Sequence, residues 1–243
     1  MAEMKSSVWW MTAVLSIAGA GVYAQTPPTA KAAALFDPTG YWVSIVTEDW
    51  RWRMTTPPKG DYQGVPLNAA AKKMADAWDP AKDEAAGEQC RSYGAANIMR
   101  VPGRIRISWQ DEQTLKFEMD AGTQTRVLSF NGTHGQGGDW QGVSQASWEL
   151  LPGGRGQPRA GSLKVVTSNM KSGYLRKNGV AYSANATVSE YYDLIKEANG
   201  EQYLVLTETV EDPTYLDRPY MTTAHFRKQA DAGGWNPTPC SAR

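Results

Sequence analysis

The sequence contains two histidines, His134 and His225, whose side chains ordinarily change charge close to neutral pH. His134 lies in the glycine-rich segment NGTHGQGGDWQG, five residues before Asp139, and His225 lies in a strand-like segment near the end of the sequence. An imidazole oriented by a carboxylate can act as a general acid or base, so Asp139, Glu190 and the neighbouring Tyr191 are candidate partners for proton transfer. The alternative is that both histidines are satisfied by local hydrogen bonds. The candidate catalytic residues are His134, Asp139, Glu190 and His225.

Metal and cofactor chemistry has no motif in this sequence. A zinc site requires three or four nitrogen, sulfur or oxygen ligands, whereas the chain offers two distant histidines and two cysteines, Cys90 and Cys240, that we expect to be oxidised. The sequence contains no Walker A loop, no Gly-x-Ser-x-Gly elbow, no Gly-x-Gly-x-x-Gly after a strand and no Cys-x-x-Cys pair. We therefore expect no bound metal and no cofactor.

A stretch rich in tryptophan and arginine, DPTGYWVSIVTEDWRWRM, supplies the main candidates for ligand binding. Residues 41–54 are expected to form the first and longest strand, in which Trp50 and Trp52 share one face and the arginines share the other, because side chains alternate along a strand. The indoles would then line a cavity, and an arginine would fix an anionic group through paired hydrogen bonds. The alternative is that the indoles belong to the core and the charged face is solvated. The candidate ligand-binding residues are Trp50, Arg51, Trp52, Arg53, Trp109, Tyr191 and His225.

The elements that must position these residues are mostly strands. Runs of about seven residues rich in β-branched and aromatic side chains recur between Gly, Pro, Asn and Asp. The one helical pattern covers residues 67–86, has Asn68 as its expected N-cap and is broken at Asp79-Pro80. About ten antiparallel strands joined mostly by short turns predict a single meander β-barrel with a short helical excursion after the first strand, because closure removes unpaired edges; an open sandwich is the alternative. The expected strands are 41–54, 95–101, 104–110, 114–120, 123–130, 144–151, 162–169, 186–195, 202–210 and 220–228.

Gly40 and Trp42, at the head of the first strand, resemble the Gly-x-Trp signature of the calycin superfamily, which contains the lipocalins and fatty-acid-binding proteins. The helical excursion after the first strand is similar to the order of elements in the fatty-acid-binding branch. The resemblance implies a lipocalin-like barrel in which Trp42 plugs the closed end and a basic residue of the last strand lies across its indole. Arg227 is the expected basic residue, and Trp50 and Trp52 are expected near the open mouth.

The N-terminal residues predict export. Residues 1–24 contain one lysine, an apolar run and a small-residue end, which is typical of a signal peptide; a membrane anchor is the alternative. Residues 25–36 are a predicted flexible leader, and residues 37–243 are the predicted barrel domain. In an oxidising compartment Cys90 and Cys240 most simply form one disulfide, with two free thiols as the alternative. We therefore expect a periplasmic or secreted protein with no membrane span after cleavage.

The amino-acid composition favours some classes of function over others. Lys plus Arg and Asp plus Glu both total 25 and no basic stripe is present, so nucleic-acid binding is not expected, while 10 Trp and 11 Tyr against 4 Phe favour a pocket or a wet binding face. The leading prediction is a binding protein for a small apolar or aromatic molecule held inside the barrel. The alternatives are a lipocalin-like enzyme of hydratase, isomerase or cyclase type, and a carbohydrate-binding or envelope-assembly module that presents Trp140 and Trp148. Residues 209–220 also resemble a block in secreted bacterial proteins of unknown function, which implies no activity.

Overall fold

The computed structural model describes Met1 and residues 28–132, 135–152 and 160–243, so the predicted signal peptide lies outside the described residues except for Met1. The helices are α1 (Trp50–Arg53), α2 (Ala69–Asp76) and α3 (Pro80–Ala85), with 3₁₀ turns at Arg91–Tyr93, Ile98–Arg100 and Ala121–Thr123. Within the described ranges, no helix is long and apolar enough to cross a membrane. The strands are β1 (Gly40–Ile45), β2 (Arg104–Asp111), β3 (Thr114–Met119), β4 (Gln124–Ser129), β5 (Val143–Leu150), β6 (Gly161–Ser168), β7 (Gly173–Arg176), β8 (Val180–Tyr182), β9 (Thr187–Lys196), β10 (Gln202–Glu211) and β11 (Tyr220–Gln229).

Nine of these strands form a closed barrel in the order β1-β11-β10-β9-β6-β5-β4-β3-β2, and β7 and β8 form a separate hairpin. The prediction of a mainly β barrel is confirmed, but the expected ten strands and the purely antiparallel meander are wrong. Leu128 and Ser129 of β4 pair in parallel with Ser144 and Gln145 of β5. A parallel pair needs a connection much longer than a hairpin turn, and residues 130–142 supply it.

Two of the expected strands are not formed as predicted. β1 ends at Ile45, and the second half of the expected strand 41–54 becomes the helical turn α1. Asp49 precedes that turn with φ 51°, a left-handed conformation that aspartate adopts more readily than most residues. Residues 95–101 contain a 3₁₀ turn instead of a strand; residues 95–100 are all buried, without the alternation of a half-buried strand.

Side chains fill the interior of the barrel. Trp42 of β1 is 0% exposed and belongs to this core, whereas its neighbours Tyr41 and Val43 are half-buried on the outer face. A side chain without accessible surface touches no void large enough for a water molecule, so these interior positions form a packed core. The core side chains without accessible surface include Leu115, Phe117, Leu128, Leu163, Val165, Leu204, Leu206 and Ala224.

One end of the barrel is covered by a cap, which consists of residues 46–101, 170–186 and 212–219. The helical prediction for this region is confirmed: the Asn68 side chain caps α2, and α3 begins at Pro80 after the expected break. The hairpin of β7 and β8 packs between α2 and the first 3₁₀ turn. A second apolar cluster joins the cap to the barrel strands, and its members include Leu175, Val180, Leu216, Val188, Val210 and Tyr220.

The other end of the barrel is closed by aromatic side chains and by the described part of the predicted leader, residues 28–36. The Trp148 indole N–H donates to the Ala30 carbonyl at 2.8 Å. Phe36 packs edge-on against Trp148 with ring centroids 5.2 Å apart. The aromatic cluster at this end consists of Phe36, Trp109, Phe130 and Trp148.

Cys90 and Cys240 form the predicted disulfide and tie the cap to the segment that follows β11, across 150 residues of sequence. Replacing both cysteines with alanine is expected to lower the free energy of unfolding by about 2–4 kcal/mol, because the unfolded chain gains conformational freedom. Denaturant unfolding of the double variant beside the wild-type protein measures this difference. An unchanged unfolding midpoint and slope would contradict the expectation.

Candidate functional site

Trp42 lies at the uncapped end of the barrel, where a basic residue covers its indole as expected, but that residue is Lys228. The indole N–H donates to the Pro38 carbonyl at 2.9 Å, and Lys228 Nζ lies 5.3 Å from the ring centroid. The prediction for Arg227 is wrong, because Arg227 pairs with Val43 and is exposed, whereas Lys228 is the cross-strand partner of Trp42. One step along a strand moves a side chain to the opposite face.

The tryptophan and arginine side chains of α1 occupy different environments. Trp50 is 65% exposed, and Arg51 forms a surface ion pair with Asp61 at 2.6 Å. Trp52 is half-buried, and the Arg53 side chain is only 2% exposed. The expected division into an indole face and a charged face is wrong, because a helical turn distributes consecutive side chains around its axis. Trp52 and Arg53 point into the cap and Trp50 points to solvent.

A small pocket of about 50 Å³ lies where α1, the turn Ile98–Arg100 and the end of β7 meet. We call it the cationic pocket, because four of its lining side chains carry positive charge. Three of those four are arginines that the cap buries almost completely. The lining residues are Trp52, Arg53, Asn97, Arg100, Val101, Pro102, Arg176 and Lys177.

Two of the arginines are balanced by carboxylates from the segment before α1. Arg53 Nε donates to the Arg100 carbonyl at 2.9 Å, and Arg53 Nη1 pairs with Glu48. Arg100 Nη2 donates to Asp49 Oδ2 at 2.7 Å. Burial lowers the pKa of Arg53, the charge on Glu48 offsets part of that lowering, and the charge on Arg100 adds a smaller lowering. Positive charge is therefore crowded in this pocket even where carboxylates are present.

The other two cations of the pocket form no ion pair with an acidic side chain of the described residues. Arg176 is 4% exposed, donates to the Gln63 carbonyl at 2.8 Å and lies 4.6 Å from the centroid of the Trp52 ring. Across the described residues, no carboxylate lies within ion-pair distance of Arg176. Lys177 donates to the Tyr93 hydroxyl at 2.7 Å and to the main-chain oxygen of Arg243 at 3.3 Å. Burial of a charge without a counter-ion is costly.

The unsatisfied polar atoms at this pocket are hydrogen-bond donors, which favour an anionic ligand just as its positive charge does. Three buried nitrogens of the lining residues have no hydrogen-bond partner: Arg53 Nη2, Arg176 Nε and Trp52 Nε1. All three are donors, and buried donors in native proteins usually have acceptors. The pocket therefore has the charge and the hydrogen-bonding capacity to accept an anionic group.

Glu190, a candidate catalytic carboxylate, lies inside the barrel in an ion pair. Arg126 donates to both of its oxygens, at 2.7 and 2.5 Å, and neither side chain has accessible surface. The Tyr192 hydroxyl donates to Glu190 at 2.6 Å, and Thr167 accepts from Arg126 at 3.1 Å. This arrangement satisfies the Glu190 carboxylate and leaves it remote from solvent.

His225 is brought next to a carboxylate, but to Glu48 and not to the expected partners. His225 Nδ1 lies 3.0 Å from Glu48 Oε2 on the outer face of the barrel, where His225 borders an open depression of about 400 Å³ that Ile195 and Val205 also line. Burial raises the pKa of Glu48, but the Thr47 hydroxyl, the Arg53 charge and the His225 contact together outweigh it and lower this pKa.

The remaining candidates are scattered. Asp139 accepts hydrogen bonds from the backbone N–H groups of Gln141 and Gly142, at 3.0 and 2.8 Å, and so stabilises a turn. Tyr191 lies on the outer face of β9 with Lys164 Nζ 5.2 Å from its ring centroid. Trp109 belongs to the aromatic cluster at the uncapped end. His134 lies outside the described residues.

Three of the pocket cations were missed from the sequence. Arg100 falls in an expected strand, 95–101, and Arg176 and Lys177 fall between the expected strands 162–169 and 186–195. A signal for the latter pair is present in GYLRKNGVAY, where two short apolar runs flank a Lys-Asn-Gly turn typical of a hairpin. Their proximity to α1 arises only from the tertiary fold.

The fold and this pocket define the class of protein as a closed, mixed nine-strand β-barrel with a capped end and a buried cationic pocket. Comparison of the chain with protein-family models, with curated proteins and with solved structures finds no match. The resemblance to the calycins therefore stays a prediction from the sequence.

Proposed function

We propose that this protein binds a small molecule by an anionic group, a carboxylate or a sulfate- or phosphate-like oxyanion, held in the cationic pocket. The observation that carries the proposal is Arg176, a buried guanidinium for which the described residues provide no carboxylate. An anion beside it would supply the missing counter-charge and accept hydrogen bonds from the unsatisfied donors of Arg53 and Trp52.

The size of the pocket limits what enters it. Its volume of about 50 Å³ is only a few times the roughly 10–15 Å³ that a cavity needs to hold one water molecule, so it takes one small charged group. The rest of the ligand must lie outside the pocket, and the helical turn that carries Trp52 and Arg53 also exposes Trp50 and Met54 to solvent. An apolar or aromatic body, which the tryptophan-rich sequence predicts, suits that surface. The ligand thus sits at the capped end rather than in the packed barrel interior.

An oxidising compartment is part of the proposal. The Cys90–Cys240 disulfide supports it, because such bonds persist mainly in secreted, periplasmic and other extracytoplasmic proteins. We propose that the protein works in the periplasm or outside the cell, as its N-terminal residues predict.

The other two predicted functions have less support. The only described imidazole, His225, adjoins a carboxylate that Arg53 and Thr47 already engage. Trp140 and Trp148 do not form a paired stacking platform: Trp140 precedes β5 and Trp148 lies near the far end of that strand, both are half-buried, and each indole N–H donates to a backbone carbonyl.

The test is binding of sulfate, benzoate and laurate, measured by calorimetry and by tryptophan fluorescence. We expect at least one of them to bind saturably, and Arg176→Gln to weaken that binding by about tenfold or more, because it removes the buried cation. The matched control is Arg227→Gln, which removes the same charge from the outer face of β11 and should change affinity by about twofold at most. Failure of all three probes to bind, or equal weakening by the two variants when thermal unfolding shows both to be folded, would overturn the proposal.

A further inference from the structure

A second buried carboxylate, Glu208, lies inside the barrel next to the Arg126–Glu190 pair. Glu208 is 1% exposed and is the direct cross-strand neighbour of Glu190 on β9 and of Thr222 on β11. Neither oxygen of Glu208 forms a hydrogen bond of ordinary geometry, and neither does the Thr222 hydroxyl. Two carboxylates therefore lie side by side, and only one of them is satisfied.

The charges around Glu208 favour its neutral form. Arg126 is committed to Glu190 through two hydrogen bonds, so its charge is already balanced. Burial, and then the negative charge of Glu190, raise the pKa of Glu208 to about 8, although Arg100 and Arg126 act in the opposite direction. A protonated carboxyl can also donate a hydrogen bond, which the ionised form cannot. The titratable and charged groups that face Glu208 are Glu190 and Tyr192 on β9, Arg126 on β4, Arg100 in the cap and Tyr182 on β8.

Arg100 connects this carboxyl with the cationic pocket. Its side chain lines the pocket, and its Nη1 donates to the carbonyl of Thr223 at 3.4 Å. Thr223 adjoins Thr222, the residue that faces Glu208 across the strand pair. One guanidinium thus borders the place of the proposed anion and also acts electrostatically on the buried acid.

We propose that Glu208 is a proton-binding site coupled to the cationic pocket through Arg100, so that a proton on Glu208 and an anion in the pocket strengthen each other's binding. This rests on the proposed function of the pocket. Arg100 also pairs with Asp49 at 2.7 Å, so an ionised Glu208 further reduces the positive potential that Arg100 offers to the anion, and a protonated Glu208 does not. Conversely, a bound anion offsets the Arg100 charge that favours ionisation of Glu208. Linkage makes the two effects equal.

The sign of the pH dependence follows. Anion affinity is highest when Glu208 is protonated and falls as pH rises through the region in which it ionises. Sulfate and benzoate suit the measurement, since both keep a constant charge there. We expect their affinity to fall about fivefold or more between about pH 7 and pH 9.5 in the wild-type protein. Glu208→Gln, which is neutral at every pH, should keep the affinity of the low-pH form throughout.

Three outcomes separate the two proposals. Anion binding whose affinity does not change with pH, or a pH dependence that persists in Glu208→Gln, would overturn the coupling and leave the pocket function standing. Absence of binding in both proteins at every pH would overturn both. If Glu208→Gln does not fold, calorimetry of the wild-type protein in two buffers of different ionisation enthalpy decides: proton uptake on anion binding near pH 8 supports the coupling, and zero uptake overturns it.

Discussion

Replacing Arg126 with methionine is expected to lower the free energy of unfolding by about 3–5 kcal/mol. The substitution leaves the Glu190 carboxylate without a cation in a place that has no accessible surface, and beside Glu208. The loss is the cost of burying that unpaired charge. Urea unfolding measures it.

The matched control replaces both members of the pair. Arg126→Met combined with Glu190→Met removes both charges and is expected to recover most of the loss, because a buried ion pair is often exchanged for apolar side chains at little cost. Two results would contradict this account: an Arg126→Met protein as stable as the wild type, or a double variant no more stable than the single one.

Trp42→Ala is expected to cost about 3–5 kcal/mol of unfolding free energy, the range for large aromatic truncations in cores. Trp42 is fully buried among the core side chains, and its indole N–H is bonded to Pro38. The truncation therefore opens a cavity and leaves the Pro38 carbonyl without its donor. Denaturant unfolding followed by circular dichroism gives the value.

Trp50→Ala is the control for that substitution. The Trp50 side chain is mostly exposed, so the same truncation should change stability by about 0.5 kcal/mol or less. A Trp42→Ala protein that loses no more stability than Trp50→Ala would mean that Trp42 does not belong to the core.

Alternation along the chain predicted most of the barrel. In segments such as 104–110 and 114–120, apolar and polar residues alternate over six or more positions, and both are strands in the structure. Alternation did not predict the two places where the backbone conformation or complete burial prevents a strand. Asp49 turns the chain with a positive φ, and residues 95–100 are buried on all sides by the cap.

Local sequence patterns did not predict which strands distant in the sequence pair with each other. The meander was inferred from short turns, and it holds for β2, β3 and β4. The parallel contact of β4 with β5 depends on the path of a long connection, which local composition does not determine. The basic residue that covers the Trp42 indole is determined by the register of β1 and β11. The predicted residue, Arg227, differs from the observed one, Lys228, by a single position.

The candidate site was predicted only in part. Trp52 and Arg53 were identified because indoles and guanidinium groups suit an anionic ligand, although they reach the pocket from a helical turn and not from a strand. Arg100 has no such local signal, and the hairpin pattern around Arg176 does not indicate that it lies next to α1. They approach Arg53 because the cap folds three distant segments together, and charge crowding of that kind exists only in the tertiary structure.

The closure of the barrel sets the order in which the chain can fold. β1 pairs with β2 on one side and with β11 on the other, so the first strand meets one of its two neighbours only when the segment Tyr220–Gln229 is available. While the ribosome still holds that segment, β1 and β10 each present an unpaired edge, the feature that promotes aggregation of incomplete sheets. Pairing of strands that are distant in sequence also requires a long loop to close before its contacts form. The entropic cost of that closure makes folding slow. The disulfide has the same requirement, because Cys240 follows β11. Ring closure of the sheet and oxidation of the thiols thus both wait until the chain from Tyr220 to Cys240 has been synthesised.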